Sequence, residues 1–313
     1  MTKEEILYNL KRIVIRIHSL LLNFIFLFKR SRKHNTKYYF SICAIFKNEA
    51  KYLEEWIEYN KVIGVDHLYL YNNFSSDNYR DVLSYYIDKG YVTLYDWPVP
   101  QGQMSAYEDC YKKNRDETYW LMFLDIDEFI VPKYSTDIKQ WIKKYEKYPS
   151  VIIYWLMFGS SGKIYPDTNK LLVEQYVNCW EGLTNVSKQV LNTAYKPIKI
   201  YHHYLSCKVK FLGITFRVPS RNEGGEFKLH GDNDKCPTVN TIQINHYWSK
   251  SYSEYNNKIK KGDVFSKQNE ELRSHIEFFY KHELKNISSD FTIFRFIIKL
   301  KLALQKKHQE MSM

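Results

Sequence analysis

The sequence predicts an α/β protein whose core is a doubly wound, mostly parallel β-sheet with helices on both faces. The first observation is that strand and helix patterns alternate four times between residues 38 and 124. The second is the run Tyr119–Ile130, which is almost continuously apolar, as expected of a central strand buried on both faces. Because crossover connections between parallel strands are right-handed, this alternation favours one wound sheet over a set of hairpins.

The first half of the chain contains four predicted strands and three predicted helices. Gly64 and Gly90 follow the first two helical patterns and are expected to end them, since glycine readily adopts the left-handed conformation found after helices. Asp77 or Asn78 is the expected N-cap of the second helix. The strands are expected at Tyr38–Phe46, His67–Tyr71, Tyr91–Tyr95 and Trp120–Leu124, and the helices at Glu49–Ile63, from Asp77 or Asn78 to Asp88, and at Gln103–Arg115.

The second half is predicted to contain fewer helices. Apolar spacing predicts a helix over Thr136–Tyr148 and then a strand over Val151–Phe158. Between residues 164 and 244 the pattern indicates short strands and loops without a helix. The stretch 245–262 begins at a strand end and becomes helical near Ser253, whose hydroxyl is the expected cap.

The net charge of +11 is concentrated at the two ends of the chain. Residues 1–37 contain nine Lys or Arg and two Glu, and residues 291–313 contain five Lys or Arg and one Glu. The segment 38–290 has 32 basic and 32 acidic residues and is therefore neutral. A nucleic-acid enzyme is expected to carry a basic stripe through its body, so the charge distribution argues against a nucleic-acid partner.

Both ends have the pattern of basic amphipathic helices. In the first, the apolar part Ile13–Phe28 is short for a membrane span and is interrupted by Arg16, His18 and Asn23. We therefore expect these helices to lie on a membrane surface, with packing on the domain as the alternative. The apolar positions are Ile6, Leu10, Ile13, Val14, Ile17, Leu20, Leu21, Phe24 and Phe28 in the first helix and Ile293, Phe296, Ile297, Leu300 and Leu304 in the second.

The five cysteines are scattered and form no C-x-x-C pair, so neither a zinc site nor a disulfide framework is indicated. A reducing compartment is the expectation for such a chain. Together with the terminal helices, this predicts a cytoplasmic protein that is peripheral on the inner face of the cell membrane. In a eukaryotic host the first helix would more naturally be a Golgi membrane anchor.

Three carboxylates stand at the end of the buried run. Asp125 and Asp127 are two residues apart, so in extended backbone their side chains share one face of the strand while Glu128 lies on the other. Ligands bind at the carboxyl ends of strands in parallel sheets. Paired oxygen donors there suit a hard divalent cation that also binds phosphate, and merely solvated acids are the alternative. No glycine-rich phosphate loop follows the first strand, so a cation would have to neutralise a bound diphosphate.

Several short motifs follow one another between residues 40 and 262. They are Cys43–Ala50, Tyr52–Tyr59, Gly64–His67, Tyr71–Asn78, Trp120–Phe129, Phe158–Gly162, Lys196-Pro197 with His202-His203, and Asn245–Tyr247 with Lys250, Ser251 and Lys258. In this order they resemble the motifs of family 92 glycosyltransferases and of the adjoining bacterial branch of family 2. An ordered series of this kind is far more specific than any single motif.

The resemblance implies a GT-A fold, a nucleotide-sugar donor that is commonly a UDP-sugar, a manganese-type ion (Mn²⁺ or Mg²⁺) and inversion at the anomeric carbon. It also implies a donor-binding group of residues after the first two strands. Lys47, Asn48 and Glu49 would lie near the base and ribose, with Asn73 and Asp77 beside them.

The resemblance further implies which residues would hold the ion. Asp127 would bind it, with Asp125 binding directly or through water, and His246 is a candidate third ligand. The ion would act as a Lewis acid for the departing diphosphate, which gives Asp127 a catalytic role. Lys250 is a candidate phosphate partner, whereas Lys258 could equally be a solvated helix residue.

An inverting transfer also needs a carboxylate base that takes the proton of the acceptor hydroxyl. The sequence does not single this base out. Glu174 is the first candidate, and Glu181, Glu223 and Asp232 remain open.

These features predict a metal-dependent glycosyltransferase that moves a hexose, galactose or glucose, from a UDP-sugar to a glycan or lipid-linked saccharide. The alternative enzyme is a phosphatase or phosphotransferase of the haloacid dehalogenase type, which expects a small hydroxyl residue where Phe129 stands. The alternative that is not an enzyme is a membrane-associated binding protein on an inactive GT-A scaffold.

The predicted division of the chain has three parts. Residues 1–37 form the first helix and a linker, residues 38–290 the GT-A domain, and residues 291–313 the second helix. Within the domain, residues 38–132 are the nucleotide-sugar half and residues 133–262 the acceptor half with the closing motif.

Overall fold

The computed structural model describes residues 3–31, 35–228, 240–261 and 276–312. Its helices are α1 (Lys3–Leu27), α2 (Ala50–Val62), α3 (Tyr79–Asp88), α4 (Gln103–Asn114), α5 (Ile138–Ile142), α6 (Leu172–Gln175), α7 (Tyr252–Lys261), α8 (Ile276–Glu283) and α9 (Ile297–Ser312). Its strands are β1 (Tyr38–Phe46), β2 (His67–Asn72), β3 (Val92–Asp96), β4 (Thr118–Phe123), β5 (Glu128–Pro132), β6 (Ser150–Met157), β7 (Asn178–Cys179), β8 (Ser187–Asn192), β9 (Pro197–Ile200), β10 (Leu205–Phe211), β11 (Ile214–Pro219), β12 (Ile242–His246) and β13 (Ser288–Ser289). Single 3₁₀ turns lie at Lys143–Tyr145 and Thr292–Phe296.

Eight strands form one large sheet in the order β3-β2-β1-β4-β8-β6-β12-β5. Neighbours among β3, β2, β1 and β4 pair in parallel, as do β6 and β12. β8 runs antiparallel to both β4 and β6, and β5 runs antiparallel to β12. Six strands therefore share one direction and two oppose it, so the predicted mostly parallel α/β sheet with flanking helices is confirmed.

The first half of the chain follows the predicted alternation. Gly64 and Gly90 adopt φ angles of +91° and +69° just after α2 and α3, so the structure places both glycines where the helices end. The predicted cap of α3 is wrong, because Asn78 makes no capping bond. Asp77 Oδ2 instead accepts from the backbone N–H of Ala50 at 2.8 Å. The loop after β2 therefore satisfies the first turn of α2 and not of its own helix.

The acidic stretch is a turn between two strands and not the end of one long strand. β4 stops at Phe123, and β5 begins at Glu128 and pairs with β12. A hydrogen bond of 3.1 Å from the N–H of Glu128 to the carbonyl of Asp125 closes the turn. The expected alternation of faces is wrong here, because a period of two holds only in extended backbone. Glu128 Oε2 accepts from the N–H of Asp125 at 3.0 Å and so lies beside it.

The helix predicted over Thr136–Tyr148 is shorter in the structure. Asp137 caps α5, which lasts five residues and gives way to a 3₁₀ turn. The N–H of Tyr148 donates to the carbonyl of Tyr145 at 2.8 Å, a tight bond across three residues. Pro149 restricts only Tyr148, since the residue before a proline is kept out of the helical conformation, so it bounds the predicted helix but does not set the end of α5 at Ile142.

The second half adds β8, β6, β12 and β5 to the large sheet and forms a separate three-stranded antiparallel sheet from β9, β10 and β11. The described part of residues 164–244 contains short strands and α6, a helix of four residues that the sequence did not predict. α7 is capped by Ser251 and not by Ser253. Ser251 Oγ accepts from the N–H of Glu254 at 3.4 Å, and Glu254 Oε2 accepts from the N–H of Ser251 at 3.3 Å, which is a capping box.

The two ends of the chain pack differently. At the C-terminal end, the predicted apolar stripe is buried: Phe296 is 1% exposed, Leu300 is 0% exposed, and the ring of Phe296 lies 5.8 Å from that of Tyr59 in α2. This corrects the expectation that the stripe faces a membrane. In α1 the predicted stripe is exposed, while Phe26 on the opposite face packs 4.9 Å from Tyr148. Among the helices that the structure describes, none has the length and hydropathy needed to cross a membrane.

Candidate active site

The carboxyl ends of β1, β2, β4 and β12 lie at the same edge of the large sheet, because these strands share one direction. The end of β12 is joined to the turn after β4 by a 2.9 Å hydrogen bond from the N–H of Tyr247 to the carbonyl of Asp127. Around this junction lies a group of side chains that we call the acid cluster: Asp125, Asp127, Glu128, Lys188, His246 and Lys258.

Asp125 is bonded on both carboxylate oxygens. Its Oδ1 accepts from Gln103 Nε2 at 3.1 Å and from Tyr107 Oη at 3.2 Å, and its Oδ2 accepts from Lys188 Nζ at 2.7 Å. Gln103 and Tyr107 lie four residues apart on α4 and therefore share one face of that helix. These partners fix the orientation of the Asp125 side chain, although it is 30% exposed.

Lys188 lies between two carboxyl groups and is itself 1% exposed. Its Nζ is 2.7 Å from Asp125 and 3.5 Å from Glu128 Oε2. Burial disfavours its charge, but Asp125 and Glu128 outweigh burial and raise the pKa of Lys188. Burial also raises the pKa of Glu128 well above its usual value, against the opposing effect of Lys188. The inner part of the cluster thus has one lysine for two carboxyl groups, and burial favours the neutral form of Glu128.

Asp127 has different partners. Its Oδ2 accepts from Lys258 Nζ of α7 at 2.6 Å, and its Oδ1 lies 3.5 Å from His246 Nε2. Burial disfavours the charge of Asp127, but Lys258 and His246 outweigh burial and hold the pKa of this carboxyl well below its usual value. Burial lowers the pKa of His246, so its imidazole is neutral at pH 7.

Asp127 and His246 form a pair of donors that suits a divalent cation. Their facing atoms are 3.5 Å apart, and neighbouring ligands of one such ion are separated by about 3 to 4 Å. His246 Nδ1 and Glu128 Oε1 are both buried without a hydrogen-bond partner and lie 4.0 Å apart. Among the described residues, no three or more His, Cys, Asp or Glu side chains are grouped to hold a metal ion. Substrate and water would therefore have to complete the coordination.

Three of the predicted donor-binding residues order the loops after β1 and β2. Asn48 has a φ of +53°, and its Oδ1 accepts from the N–H of Ser76 at 2.7 Å. Asn73 Nδ2 donates to two carbonyls in the loop after β3, at 2.8 and 2.9 Å. Asp77 uses one oxygen at the start of α2, while its Oδ1 is buried without a hydrogen-bond partner. These contacts hold three loops together at the edge where the acid cluster lies.

Glu49 and Lys250 connect these loops with the acid cluster. Lys250 Nζ lies 3.7 Å from Glu49 Oε2 and 4.3 Å from the ring centroid of Tyr52. Its positive charge also contributes to the low pKa of Asp127. Lys47 follows directly after β1 at the same edge of the sheet and is half-buried.

Glu174, the first candidate for the catalytic base, contacts the C-terminal helix. It forms an ion pair with Lys301 of α9 at 2.5 Å, and its Oε2 accepts from the N–H of Leu171 at 3.3 Å. Both contacts stabilise the start of α6. The catalytic role of Glu174 stays a prediction.

The other candidate bases lie in different surroundings. Glu223 accepts from the N–H of Thr241 at 2.8 Å, next to the amino end of β12. Because strands rise by about 3.3 Å per residue, this position is roughly 16 Å from His246 at the other end of the strand. Glu181 is exposed, and Asp232 lies outside the described residues.

The structure adds three residues to the site that the sequence did not single out: Lys188, Gln103 and Tyr107. Lys188 belongs to β8, whose six residues are all buried. A lysine in a buried strand requires a charged partner, so the sequence contained a signal for an ion pair. The identity of the partner depends on the insertion of β8 between β4 and β6, which no local pattern reveals.

Segments of the chain are similar to known proteins. A glycosyltransferase family 92 protein of Arabidopsis thaliana is 25% identical over 168 residues, covering 53% of this chain and 28% of that protein. One of Oryza sativa subsp. japonica is 32% identical over 111 residues, covering 35% of this chain and 19% of that protein. The beta-1,4-galactosyltransferase galt-1 of Caenorhabditis elegans is 35% identical over 109 residues, covering 30% of this chain and 26% of that protein. The matches thus span 19 to 28% of the relatives' own length.

Solved structures of TarS from S. aureus resemble the fold weakly. Residues 1–349 of TarS are 12% identical, with 85% of this chain and 80% of that chain covered and a TM-score of 0.38. The same TarS fragment in complex with UDP is 15% identical, with 50% and 47% covered and a TM-score of 0.35. Likeness at this level carries no argument about the site.

A family model has a much longer match. The model of glycosyltransferase family 92 covers residues 36–292, which is most of the chain and includes every residue of the acid cluster. The resemblance inferred from the motifs is therefore confirmed, and the haloacid dehalogenase alternative is set aside. The chain belongs to glycosyltransferase family 92.

Proposed function

We propose that this glycosyltransferase transfers a hexose from a UDP-sugar to a hydroxyl group of a glycan or lipid-linked saccharide, with a divalent cation and with inversion. The single observation that carries the proposal is the facing pair Asp127 and His246, 3.5 Å apart at the carboxyl edge of the parallel strands. Substrates of sheets built in this way bind at that edge.

The charges around the pair favour a diphosphate. The positive charges of Lys258 and Lys250 both lower the pKa of Asp127, and the Lys258 side chain is 35% exposed. A cation at Asp127 Oδ1 would repel the ammonium of Lys258 at Oδ2, because both are positive and share one carboxylate. Lys258 would then leave Asp127 and become available to an anionic phosphate beside it.

In this proposal Asp127 Oδ1 and His246 Nε2 would hold Mn²⁺ or Mg²⁺, and the carboxyl group of Glu128 lies 4.0 Å from the other ring nitrogen of His246. The ion, when bound, supplies Lewis-acid stabilisation for the negative charge that develops on the diphosphate. Asp125 has a supporting role, because both of its oxygens already accept hydrogen bonds within the protein. It keeps the turn that carries Asp127 in place.

The reaction forms one bond and breaks one. The acceptor oxygen bonds to the anomeric carbon from the face opposite the diphosphate, and the bond between that carbon and the diphosphate oxygen breaks as UDP leaves. The hydroxyl proton passes to a carboxylate base, and attack from the opposite face inverts the anomeric configuration. Glu174 remains the base proposed from the sequence.

Galactose is the first sugar to test. The support is that a relative with 35% identity over 109 residues is named a beta-1,4-galactosyltransferase. The match covers 26% of that protein, so galactose as the sugar transferred by this chain is a proposal. Glucose is the second sugar, because it differs from galactose only in the orientation of one hydroxyl.

A donor screen tests the proposed function. The purified chain is incubated with UDP-galactose, UDP-glucose, other nucleotide sugars and Mn²⁺, and the release of nucleoside diphosphate is followed. We expect release from a UDP-hexose, loss of release with EDTA, and loss of release in Asp127→Ala.

The matched control is Asp116→Asn, which alters a carboxylate whose side chain is 93% exposed. It should release UDP at the rate of the unaltered chain. Release that persists in EDTA and in Asp127→Ala would contradict the metal-dependent part of the proposal. No release from any nucleotide sugar would favour the inactive binding protein.

A further inference from the structure

We propose that α1 lies on an anionic membrane surface and inserts its exposed apolar face between the lipid headgroups. This inference is independent of the proposed reaction, because it concerns a surface formed by α1 and the adjoining hairpin of β10 and β11. The partner is a lipid bilayer that contains anionic lipids.

Two opposite faces of α1 are apolar. One face packs on the domain, and Ile15, Leu22 and Phe26 on it are 3% exposed or less. The other face is exposed to between 44 and 70% and consists of Ile6, Leu7, Leu10, Ile13, Val14, Ile17, Leu20, Leu21, Phe24 and Leu27. At 1.5 Å per residue this face is roughly 30 Å long, and an apolar patch of this extent marks an interaction surface.

The buried face holds α1 firmly on the domain. Arg12 forms an ion pair with Glu226 at 2.9 Å, and Asn23 Nδ2 donates to the carbonyl of Gly225 at 2.7 Å. Ser19 Oγ accepts from the N–H of Phe227 at 3.0 Å. Because these contacts fix the rotation of α1, the second apolar face points away from the domain and cannot turn inward.

Basic residues border the exposed apolar face on both sides. With 100° per residue, Lys11 falls on one border and Arg16 on the other, and Lys29 and Arg30 follow directly after the end of the helix. Residues 6–31 contain no Asp or Glu. Long basic side chains beside an apolar face can extend to lipid phosphates while the apolar side chains enter the bilayer.

The hairpin formed by β10 and β11 continues this surface. Lys29 Nζ donates to the carbonyl of Lys210 at 2.6 Å, and the rings of Phe28 and Phe211 stack with centroids 6.4 Å apart. At the tip of the hairpin, Leu212 is 86% exposed. The exposed side of the hairpin carries basic residues, and residues 197–219 contain no Asp or Glu.

These charges favour a membrane over a second copy of the chain. Two copies that met through this face would bring their basic borders together, whereas an anionic bilayer neutralises them. The C-terminal helix offers a contrast, because the apolar stripe of α9 is covered by α2 and the rest of the domain. We therefore assign membrane binding to α1 and not to α9.

Vesicle sedimentation with the full chain tests the inference. Vesicles of phosphatidylcholine with about 30% phosphatidylglycerol are compared with vesicles of phosphatidylcholine alone. The triple variant Ile17→Gln, Leu20→Gln, Phe24→Gln leaves the net charge unchanged and alters residues that make no contact with the acid cluster. We expect the unaltered chain to sediment with the anionic vesicles and the triple variant to bind them at least about tenfold more weakly.

The matched control is Leu284→Gln, Ile298→Gln, Leu302→Gln, which removes equally exposed apolar side chains elsewhere. It should sediment like the unaltered chain. Lys11→Ala and Arg16→Ala should each weaken binding to anionic vesicles by about fivefold, and less at high salt. UDP release in solution should be the same in the triple variant, so failure here is separate from failure of the proposed reaction.

Three results would overturn the inference. The unaltered chain could stay in the supernatant with both kinds of vesicle. The triple variant could sediment as strongly as the unaltered chain. Light scattering could find a dimer that the triple variant dissociates, in which case the occupant of the face is a second copy.

Discussion

The two aspartates of one short turn each pair with a lysine, but one lysine is buried and the other is partly exposed. Asp125 is bonded on both oxygens, and its lysine, Lys188, is 1% exposed. Asp127 is paired with Lys258, whose side chain is 35% exposed, and it faces a nitrogen of His246. The two acids of this D-x-D sequence therefore lie in different surroundings, although they are only two residues apart. We therefore propose that Asp125 holds the turn and that Asp127 exchanges its partner for a ligand.

The largest expected effect separates the two acids by activity. Asp127→Asn should lower the rate of UDP release by about 10³-fold, because several kcal/mol of charge stabilisation at the leaving group depend on this carboxylate. Asp125→Asn should lower it by about tenfold, since Gln103 and Tyr107 can still donate to the side-chain oxygen. Single-turnover release from the accepted UDP-hexose measures both rates. Equal losses in the two variants would contradict the different roles proposed for Asp125 and Asp127.

The second effect separates the two lysines by stability. Lys188→Met should lower the free energy of unfolding by about 3 kcal/mol, because it leaves the buried Glu128 and the partly buried Asp125 without their cation. Urea denaturation of the isolated chain measures the loss. Lys258→Met is the matched comparison and should cost less, since this lysine is more than one-third exposed and Asp127 keeps His246 beside it.

The third effect concerns the contribution of Lys258 to binding of the UDP-hexose. If this lysine moves from Asp127 to the diphosphate, Lys258→Met should raise the KM for the UDP-hexose by about tenfold, the cost of losing one charge-assisted hydrogen bond. Lys258→Arg should restore most of the affinity. Steady-state kinetics separates KM from kcat, and an unchanged KM in Lys258→Met would show that the lysine serves only the resting carboxylate.

The smallest expected effect is the change in the free energy of unfolding with pH that the titration of Glu128 produces. Burial raises the pKa of Glu128 well above its usual value, so the folded chain binds this proton more tightly than the unfolded chain. The resulting stability is complete below about pH 4.5 and is lost as the pH rises through the folded pKa. Glu128→Gln cannot titrate and should flatten this part of the curve. Urea denaturation from pH 5 to 8 measures it, and parallel curves would contradict the assignment.

Much of the sheet was predictable because local sequence patterns identify its strands and the ends of its helices. Apolar runs identify the parallel strands β1, β2 and β4. The glycines after α2 and α3 mark where these helices end. The motif residues Asp127 and His246 were also identified, and the pairing of β12 with β5 brings them together. What local patterns could not give is the turn at Asp125, because an apolar run with three acids fits a long strand equally well.

The sequence also could not predict which apolar faces of the two terminal helices are buried. Both have an apolar stripe and basic residues, yet Leu300 is buried and Leu20 is 70% exposed. Periodicity identifies a face but not what covers it, because that depends on the shape of the domain beneath. The buried face of α1 was missed for the same reason, since Ile15 and Leu22 lie outside the stripe that the spacing suggested.

Binding of Mn²⁺ tests most directly whether Asp127 and His246 act as one cation site. Electron paramagnetic resonance of free Mn²⁺ in the presence of UDP gives the affinity for the unaltered chain, His246→Gln, Asp127→Asn and the surface control Asp116→Asn. We predict one bound ion per chain, weakened by about tenfold or more in His246→Gln and in Asp127→Asn and unchanged in Asp116→Asn. Equal affinity in all four proteins would contradict the account.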